Sequence, residues 1–146
     1  MATIKTVKVT GKGPDNWLIT TQAGKHTVLI DQPESLGGAD QAPSPLDYVF
    51  VALGSCFITI GKLVAMQRKV NLRGMEVEIS GDLNLDVLRG KELNERAGFT
   101  GIVVNLKIDA DLSENEKREF AEEIERRCPV SDNLINTTPI EVSIIS

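Results

Sequence analysis

An uncharged apolar stretch from Tyr48 to Gly61, between Asp47 and Lys62, constrains the fold most. It is shorter than the roughly 20 residues that span a bilayer, so it predicts a buried helix in a water-soluble protein, with no membrane partner. Residues 44–47 supply a cap hydroxyl, a proline at the first helical position and a carboxylate three residues after the cap. The helix is therefore predicted to begin there and to continue to about Lys69.

This helix is apolar on every side up to Lys62, which is typical of a helix enclosed by other elements. A 146-residue chain with only two substantial helices cannot cover all of its sides, so the sequence predicts an obligate homodimer. Gly54, Ile58, Gly61 and Ala65 form a shallow stripe at helical spacing, along which another helix is expected to cross.

Alternating polar and apolar residues predict the strands. Three short strands are expected between Thr3 and Asp31, followed by a long surface loop from Gln32 to Pro43. The alternation from Met75 to Val87 and from Ile102 to Ala110 predicts two antiparallel strands with one wet face, and Gly81 is expected to mark a bulge. The charged residues between these two strands are expected to form a loop.

A capping box at residues 113–116 predicts a second helix, whose apolar stripe ends at Cys128 and whose regular pattern Pro129 stops. The alternation from Ile140 to Ile144 predicts a closing strand. These elements predict an α+β fold, with antiparallel sheets around a long buried central helix, in a single domain spanning residues 1–146.

Composition excludes several classes of function. Sixteen basic residues against twenty-one acidic ones give a net charge of −5, which argues against a nucleic-acid partner. The N-terminus lacks the apolar run of a signal peptide, so we expect a cytoplasmic protein in which a permanent disulfide is disfavoured. A single histidine, His26, and the absence of a Cys-x-x-Cys pair argue against a metal site. No glycine motif for a phosphate is present, and no cofactor is expected.

Cys56 and Cys128 are the remaining candidates for chemistry, although either cysteine alone is better explained as part of the core. Gly54 and Ser55 leave room for a ligand beside Cys56. Arg126 and its neighbour precede Cys128, where their charge would favour a thiolate or would simply complement the negative end of the helix. Any pairing of the two cysteines is expected to be transient and catalytic.

Three segments carry a family resemblance: residues 36–38, residues 44–56 ending in Ala-Leu-Gly-Ser-Cys56, and Cys128-Pro-Val-Ser-Asp-Asn-Leu134. They closely resemble the two cysteine motifs of the OsmC/Ohr family, the osmotically inducible and organic-hydroperoxide-resistance proteins. The resemblance implies an intertwined homodimer whose subunits share their sheets, with two active sites at the interface.

The resemblance also implies an activity, the reduction of organic hydroperoxides. A Cys56 thiolate would attack the O–O bond and become a sulfenic acid, Cys128 would condense with it, and a dithiol reductant would clear the disulfide. A fatty or aromatic hydroperoxide needs an apolar pocket, for which Trp17, Tyr48 and Phe57 are the candidates.

The chain departs from the active peroxidases of this family at two positions. Those enzymes hold the thiolate ionised with an arginine on an early strand, whereas the first arginine here is Arg68. They also carry a glutamate where this chain has Leu46. The sequence therefore resembles a branch without the early arginine, with Arg96 and Arg126 as candidate charge partners. The alternative function is an OsmC-like dimer that binds a small hydrophobic ligand without turnover.

Overall fold

Five β-strands and four α-helices make up the computed structural model, which describes residues 1–146. In chain order they are β1 (Val9–Lys12), β2 (Ile19–Ala23), β3 (His26–Ile30), α1 (Pro45–Arg68), β4 (Leu72–Asp82), α2 (Leu85–Leu88), β5 (Gly101–Ala110), α3 (Glu114–Arg127) and α4 (Pro129–Ile135). The mixed α+β architecture with antiparallel sheets is as expected. The chain divides into an N-terminal unit, Met1–Val49, and a C-terminal unit, Phe50–Ser146, and the single domain stays a prediction.

The N-terminal unit contains the expected meander, in which β2 pairs antiparallel with both β1 and β3. The first strand begins at Val9, so residues 1–8 are exposed and outside any element. The loop after β3 is organised by Asp31, which is only 1% exposed. Its carboxylate accepts hydrogen bonds from the backbone N–H groups of Gln41 (3.0 Å) and Gln32 (2.8 Å), which lower the pKa of Asp31.

In the C-terminal unit β4 pairs antiparallel with β5, as the alternation predicted. The expected extension of the first of these strands to Val87 is wrong, because β4 ends at Asp82. Asn84 ends the extended chain: its side-chain oxygen accepts a hydrogen bond from the backbone N–H of Asp86 at 3.0 Å and caps α2.

The expected bulge at Gly81 is also wrong, because Gly81 pairs in regular register with Ile102. The irregularity in this sheet lies between Leu72 and Gly74. Glycine is required at position 81 by close packing, since a Cβ there would lie 2.7 Å from the backbone oxygen of Gly101.

The long helix α1 begins at Pro45 and ends at Arg68, within one residue of the predicted end. Two reciprocal hydrogen bonds between Ser44 and Asp47 cap its N-terminus. The backbone N–H of Ser44 donates to Asp47 Oδ2 at 2.9 Å, and the backbone N–H of Asp47 donates to Ser44 Oγ at 3.2 Å. The cap signals in the sequence therefore located the start of this helix correctly.

The shallow stripe of α1 faces strand β4 at both glycines and, at Gly61, also helix α3, where a Cβ would lie 3.3 Å from Ile124 Cδ1. A Cβ on Gly54 would lie 2.8 Å from Val77 Cγ2, and a Cβ on Gly61 would collide with Met75 Sδ. These two contacts are with β4, so the missing side chains allow the helix to lie close to the sheet as well as to α3.

One side of α1 stays exposed in the single chain, as expected for an apolar helix that one 146-residue chain cannot cover on all sides. Val51 is 55% exposed and Met66 is 69% exposed. By length and composition alone α1 is also apolar enough to cross a membrane, a criterion that the core helix of a water-soluble protein meets equally.

α3 begins with the predicted capping box, and Phe120 and Ile124 are fully buried on its inner face. α3 ends at Arg127, as the pattern predicted, and a short helix that was not predicted, α4, begins at Pro129 because proline fits the first turn of a helix. The closing strand expected from Ile140 to Ile144 is wrong for the single chain. Its apolar residues are 85–101% exposed, because no strand of this chain pairs with them.

We expect Gly54→Ala to lower the free energy of unfolding by about 1–3 kcal/mol, because the new Cβ would press on Val77 and Ile79. Helix propensity alone predicts the opposite, namely that alanine raises the free energy of unfolding by about 1 kcal/mol. Urea denaturation distinguishes the two, and Ser55→Ala at the exposed neighbouring position is the control. A more stable Gly54→Ala variant would show that the helix does not lie this close to the sheet.

Candidate functional site

The two cysteines lie together, with 2.9 Å between their Sγ atoms, although 72 positions separate them in the chain. Cys56 projects from α1, and Cys128 joins α3 to α4. The backbone of Cys128 is fixed because it ends one helix and caps the next, and its Sγ accepts a hydrogen bond from the backbone N–H of Ser131 at 3.4 Å. Both cysteines are free thiols.

The two sulfurs have different environments. Cys128 is 0% exposed and belongs to the core, whereas Cys56 is only partly buried. Burial, and then the contact with Cys56, raise the pKa of Cys128 to about 11. Cys128 is therefore a thiol at neutral pH, and its S–H donates to Cys56 Sγ.

The raised pKa of Cys128 predicts a loss of stability at alkaline pH. An unfolded thiol loses its proton near pH 9.0, whereas folded Cys128 keeps its proton up to about pH 11. Between these values the folded state binds more protons, so the free energy of unfolding falls as the pH rises. Urea denaturation of the reduced protein from pH 8 to 11 should show this fall, and Cys128→Ala should reduce it. Parallel pH profiles for the two proteins would contradict the assignment.

The structure places the two candidate arginines on the surface. Arg126 is 75% exposed at its side chain and contacts Glu123 at 3.6 Å, while Arg68 contacts the same carboxylate at 2.7 Å. Arg96 lies beside Gly98 in the loop before β5. The groups that shift the pKa of Cys128 include no arginine. A role for Arg96 or Arg126 in thiolate formation therefore stays a prediction.

The three candidate pocket residues lie in different surroundings. Phe57 is buried beside Cys56 and lines a cavity of about 340 Å³ with residues of α1, β5, α3 and α4, which are apolar except for Glu125 and Ser131. In the N-terminal unit, Trp17 lines a separate cavity of about 240 Å³ and packs against Gly37. The hydroxyl of Tyr48 donates to the backbone oxygen of Leu29 at 2.7 Å. The substrate role of these residues stays a prediction.

Sequence reasoning missed Ser131, whose backbone N–H contacts the Cys128 sulfur. The proline directly after Cys128 could have indicated this contact. Proline is favoured at the first position of a helix, and the residue before it is then the N-cap, which accepts a backbone hydrogen bond from the first turn. No group of three or more histidine, cysteine or acidic side chains is placed to hold a metal ion.

Comparison with known proteins gives consistent results. The OsmC family, described as OsmC-like protein, matches residues 37–143. An OsmC-like protein from Mycoplasma pneumoniae has a similar structure, with a TM-score of 0.78 and 18% identity over 91% of this chain and 89% of that one. An organic hydroperoxide resistance protein OsmC from Legionella pneumophila gives a TM-score of 0.66 and 22% identity over 91% of each chain.

A third similar structure is the organic hydroperoxide resistance protein OhrB of Bacillus subtilis, with a TM-score of 0.59 and 21% identity over 91% of this chain and 93% of that one. No curated protein matches this chain. At these identities the structural similarities establish a shared fold.

Proposed function

This chain belongs to the OsmC-like protein family, and from that premise we propose that it reduces organic hydroperoxides with Cys56 and Cys128. The observation that carries the proposal is the 2.9 Å distance between the two sulfurs. A disulfide needs about 2.05 Å, so only a small side-chain movement separates the two thiols from a bond. Neighbours named organic hydroperoxide resistance proteins support the substrate class.

In the first step the Cys56 thiolate attacks the terminal oxygen of the hydroperoxide. The O–O bond breaks, the alkoxide leaves and takes up a proton as an alcohol, and Cys56 becomes a sulfenic acid. Cys128 lies too close to Cys56 for any atom to enter between them, so the hydroperoxide approaches from the opposite side. The new S–O bond then points away from Cys128.

In the second step Cys128 displaces the sulfenic oxygen. Its sulfur forms the disulfide, the S–O bond breaks, and the thiol proton leaves with the hydroxyl group as water. The oxygen lies opposite the incoming sulfur, which is the geometry that displacement at sulfur requires. Because no element has to move, the sulfenic acid is short-lived, and further oxidation is suppressed.

A dithiol reductant returns the disulfide to two thiols, and no bound cofactor takes part. We place the reaction in the cytoplasm, because a reducing compartment supplies thiols. The family membership and the uncovered side of α1 support a homodimer, in which a second copy covers Val51, Met66 and the apolar residues after Asn136. Each copy would bury apolar surface that the single chain exposes to solvent.

Steady-state turnover tests the proposal. With a dithiol as electron donor, we expect consumption of cumene hydroperoxide, and little consumption of hydrogen peroxide because the surroundings of Cys56 are apolar. Failure to consume any hydroperoxide, with both thiols intact, would contradict the proposal.

A second function, binding of a small hydrophobic ligand without turnover, is favoured by one observation. The 340 Å³ cavity is lined by Leu53 and Phe57, which lie close to Cys56 on α1, and its one charged lining residue is the acidic Glu125. Tight binding of cumyl alcohol to a protein without peroxidase turnover would support this function instead.

A further inference from the structure

We propose that the reductant attacks the Sγ atom of Cys56, so that the mixed disulfide forms on Cys56 and Cys128 is the leaving group. The inference rests on the proposed function, because it concerns the recycling of the Cys56–Cys128 disulfide. It is carried by the unequal exposure of the two sulfurs and by the place of Cys128 at the junction of α3 and α4.

Access favours attack on Cys56. Cys128 is 0% exposed and lies in one core cluster with Phe120 and Ile124, so every direction of approach to its sulfur is covered by protein. Helices on both sides fix its backbone. An incoming thiol could reach Cys128 only if the junction opened, whereas Cys56 is partly exposed on a regular helix.

The leaving group has the opposite effect, because a thiol with a high pKa leaves slowly. Burial raises the pKa of Cys128 from 9.0 to about 11. If the rate depends on the leaving group's pKa about as strongly as on that of the attacking thiol, whose Brønsted coefficient is about 0.4–0.5, a difference of this size slows the exchange about tenfold. Exposing even one buried apolar side chain lowers the population of the open form by roughly 10- to 100-fold, and opening this junction would expose several. Access therefore outweighs the leaving-group effect.

The leaving sulfur also has stabilising contacts. The backbone N–H groups of Ser131 and Val130 donate to Cys128 Sγ, and both contacts lower its pKa. These groups are in place before exchange begins, so the negative charge that develops on Cys128 meets two fixed donors.

The exchange balances as two displacements. One thiolate of the dithiol forms a bond to Cys56 Sγ, the Cys56–Cys128 bond breaks, and Cys128 leaves as a thiolate that takes up a proton. The second thiol of the reductant then attacks the reductant sulfur bound to Cys56. Cys56 leaves as a thiolate, the reductant closes its own disulfide, and two electrons have passed to the protein.

Mapping the mixed disulfide tests this inference. The protein is oxidised with diamide, treated briefly with 2-mercaptoethanol, quenched with acid and alkylated after unfolding. Cleavage after lysine and arginine separates the cysteines, because Cys56 lies in residues 26–62 and Cys128 in residues 128–146. At the earliest times we expect the adduct on residues 26–62 in at least about tenfold excess. An adduct mainly on residues 128–146, or equal amounts on both, would overturn the inference.

Single-thiol variants give an independent measurement that decides the question even if diamide forms no disulfide. An aromatic disulfide should modify Cys56 in the Cys128→Ser variant at least about tenfold faster than Cys128 in the Cys56→Ser variant. In urea the two rates should become similar. Equal rates in the folded proteins would refute the inference.

Because diamide forms the disulfide without a hydroperoxide, this inference can be tested separately from the proposed function. A protein that hydroperoxide does not oxidise, but whose diamide-formed disulfide opens at Cys56, would contradict the peroxidase alone.

Discussion

Cys56→Ser is expected to lower kcat/KM for cumene hydroperoxide by more than about a thousandfold, because a serine hydroxyl is neither ionised nor a comparable nucleophile at neutral pH. Coupled turnover with a dithiol measures the loss. Cys56 is only partly buried, and serine is nearly isosteric with cysteine, so the fold should persist. Activity within tenfold of the wild type would show that another group attacks the peroxide.

Cys128→Ser is the matched control, because it removes the second sulfur and leaves Cys56 in place. We expect one rapid turnover that gives a sulfenic acid on Cys56, which a dimedone-type reagent traps. Excess hydroperoxide should then carry Cys56 on to the sulfinic acid, whereas the wild type should stop at the disulfide. A wild-type protein that is overoxidised as readily would contradict the direct resolution that the 2.9 Å distance allows.

Met66→Glu is expected to weaken the proposed homodimer by more than about a hundredfold, because an unpaired carboxylate would be buried at the interface. In the single chain Met66 is 69% exposed, so the substitution should cost little without a partner. Sedimentation equilibrium of the wild type should show a dimer at low micromolar concentration, and the variant should dissociate or unfold.

Gln67→Glu is the control for this experiment, since it adds the same charge one residue further along α1. Gln67 faces its own chain, where its side-chain oxygen accepts a hydrogen bond from Arg127 at 2.9 Å, and a carboxylate would keep that contact. This variant should remain a dimer. A monomeric wild type, or equal behaviour of the two variants, would contradict an interface at the exposed side of α1.

Local signals in the sequence predicted the regular elements well where one interaction dominates. The cap at Ser44 and Asp47 determines the start of α1, and the capping box before α3 acts in the same way. The alternation of β4 and β5 reflects one wet face and one face that packs on α1. Each of these patterns depends on neighbouring residues alone.

The incorrect expectations arose where two signals competed or where a partner strand was required. Apolar alternation continues through Leu83 to Val87, but the cap at Asn84 outweighs it and turns the chain into α2. Pro129 is compatible with both the end and the start of a helix. The alternation from Ile140 to Ile144 indicates a strand, but a strand forms only where another can pair with it.

Cys56 and Cys128 were joined as one candidate site by the family resemblance, and the proximity of their sulfurs could not have been obtained from local patterns. The distance between the two sulfurs depends on how α3 packs on α1. That packing involves the close approach of Ile124 to Gly61 and the hydrogen bond from Arg127 to Gln67. The same packing buries Cys128, leaves Cys56 partly exposed and places the backbone N–H of Ser131 beside the Cys128 sulfur. These features are visible only in three dimensions.

The most direct test is a count of thiols after the reduced protein is mixed with one equivalent of cumene hydroperoxide. We predict the loss of both thiols per chain and a disulfide that links residues 26–62 to residues 128–146 within one subunit, reversible by a dithiol. Two intact thiols after excess hydroperoxide, or a disulfide that joins two subunits, would contradict this prediction.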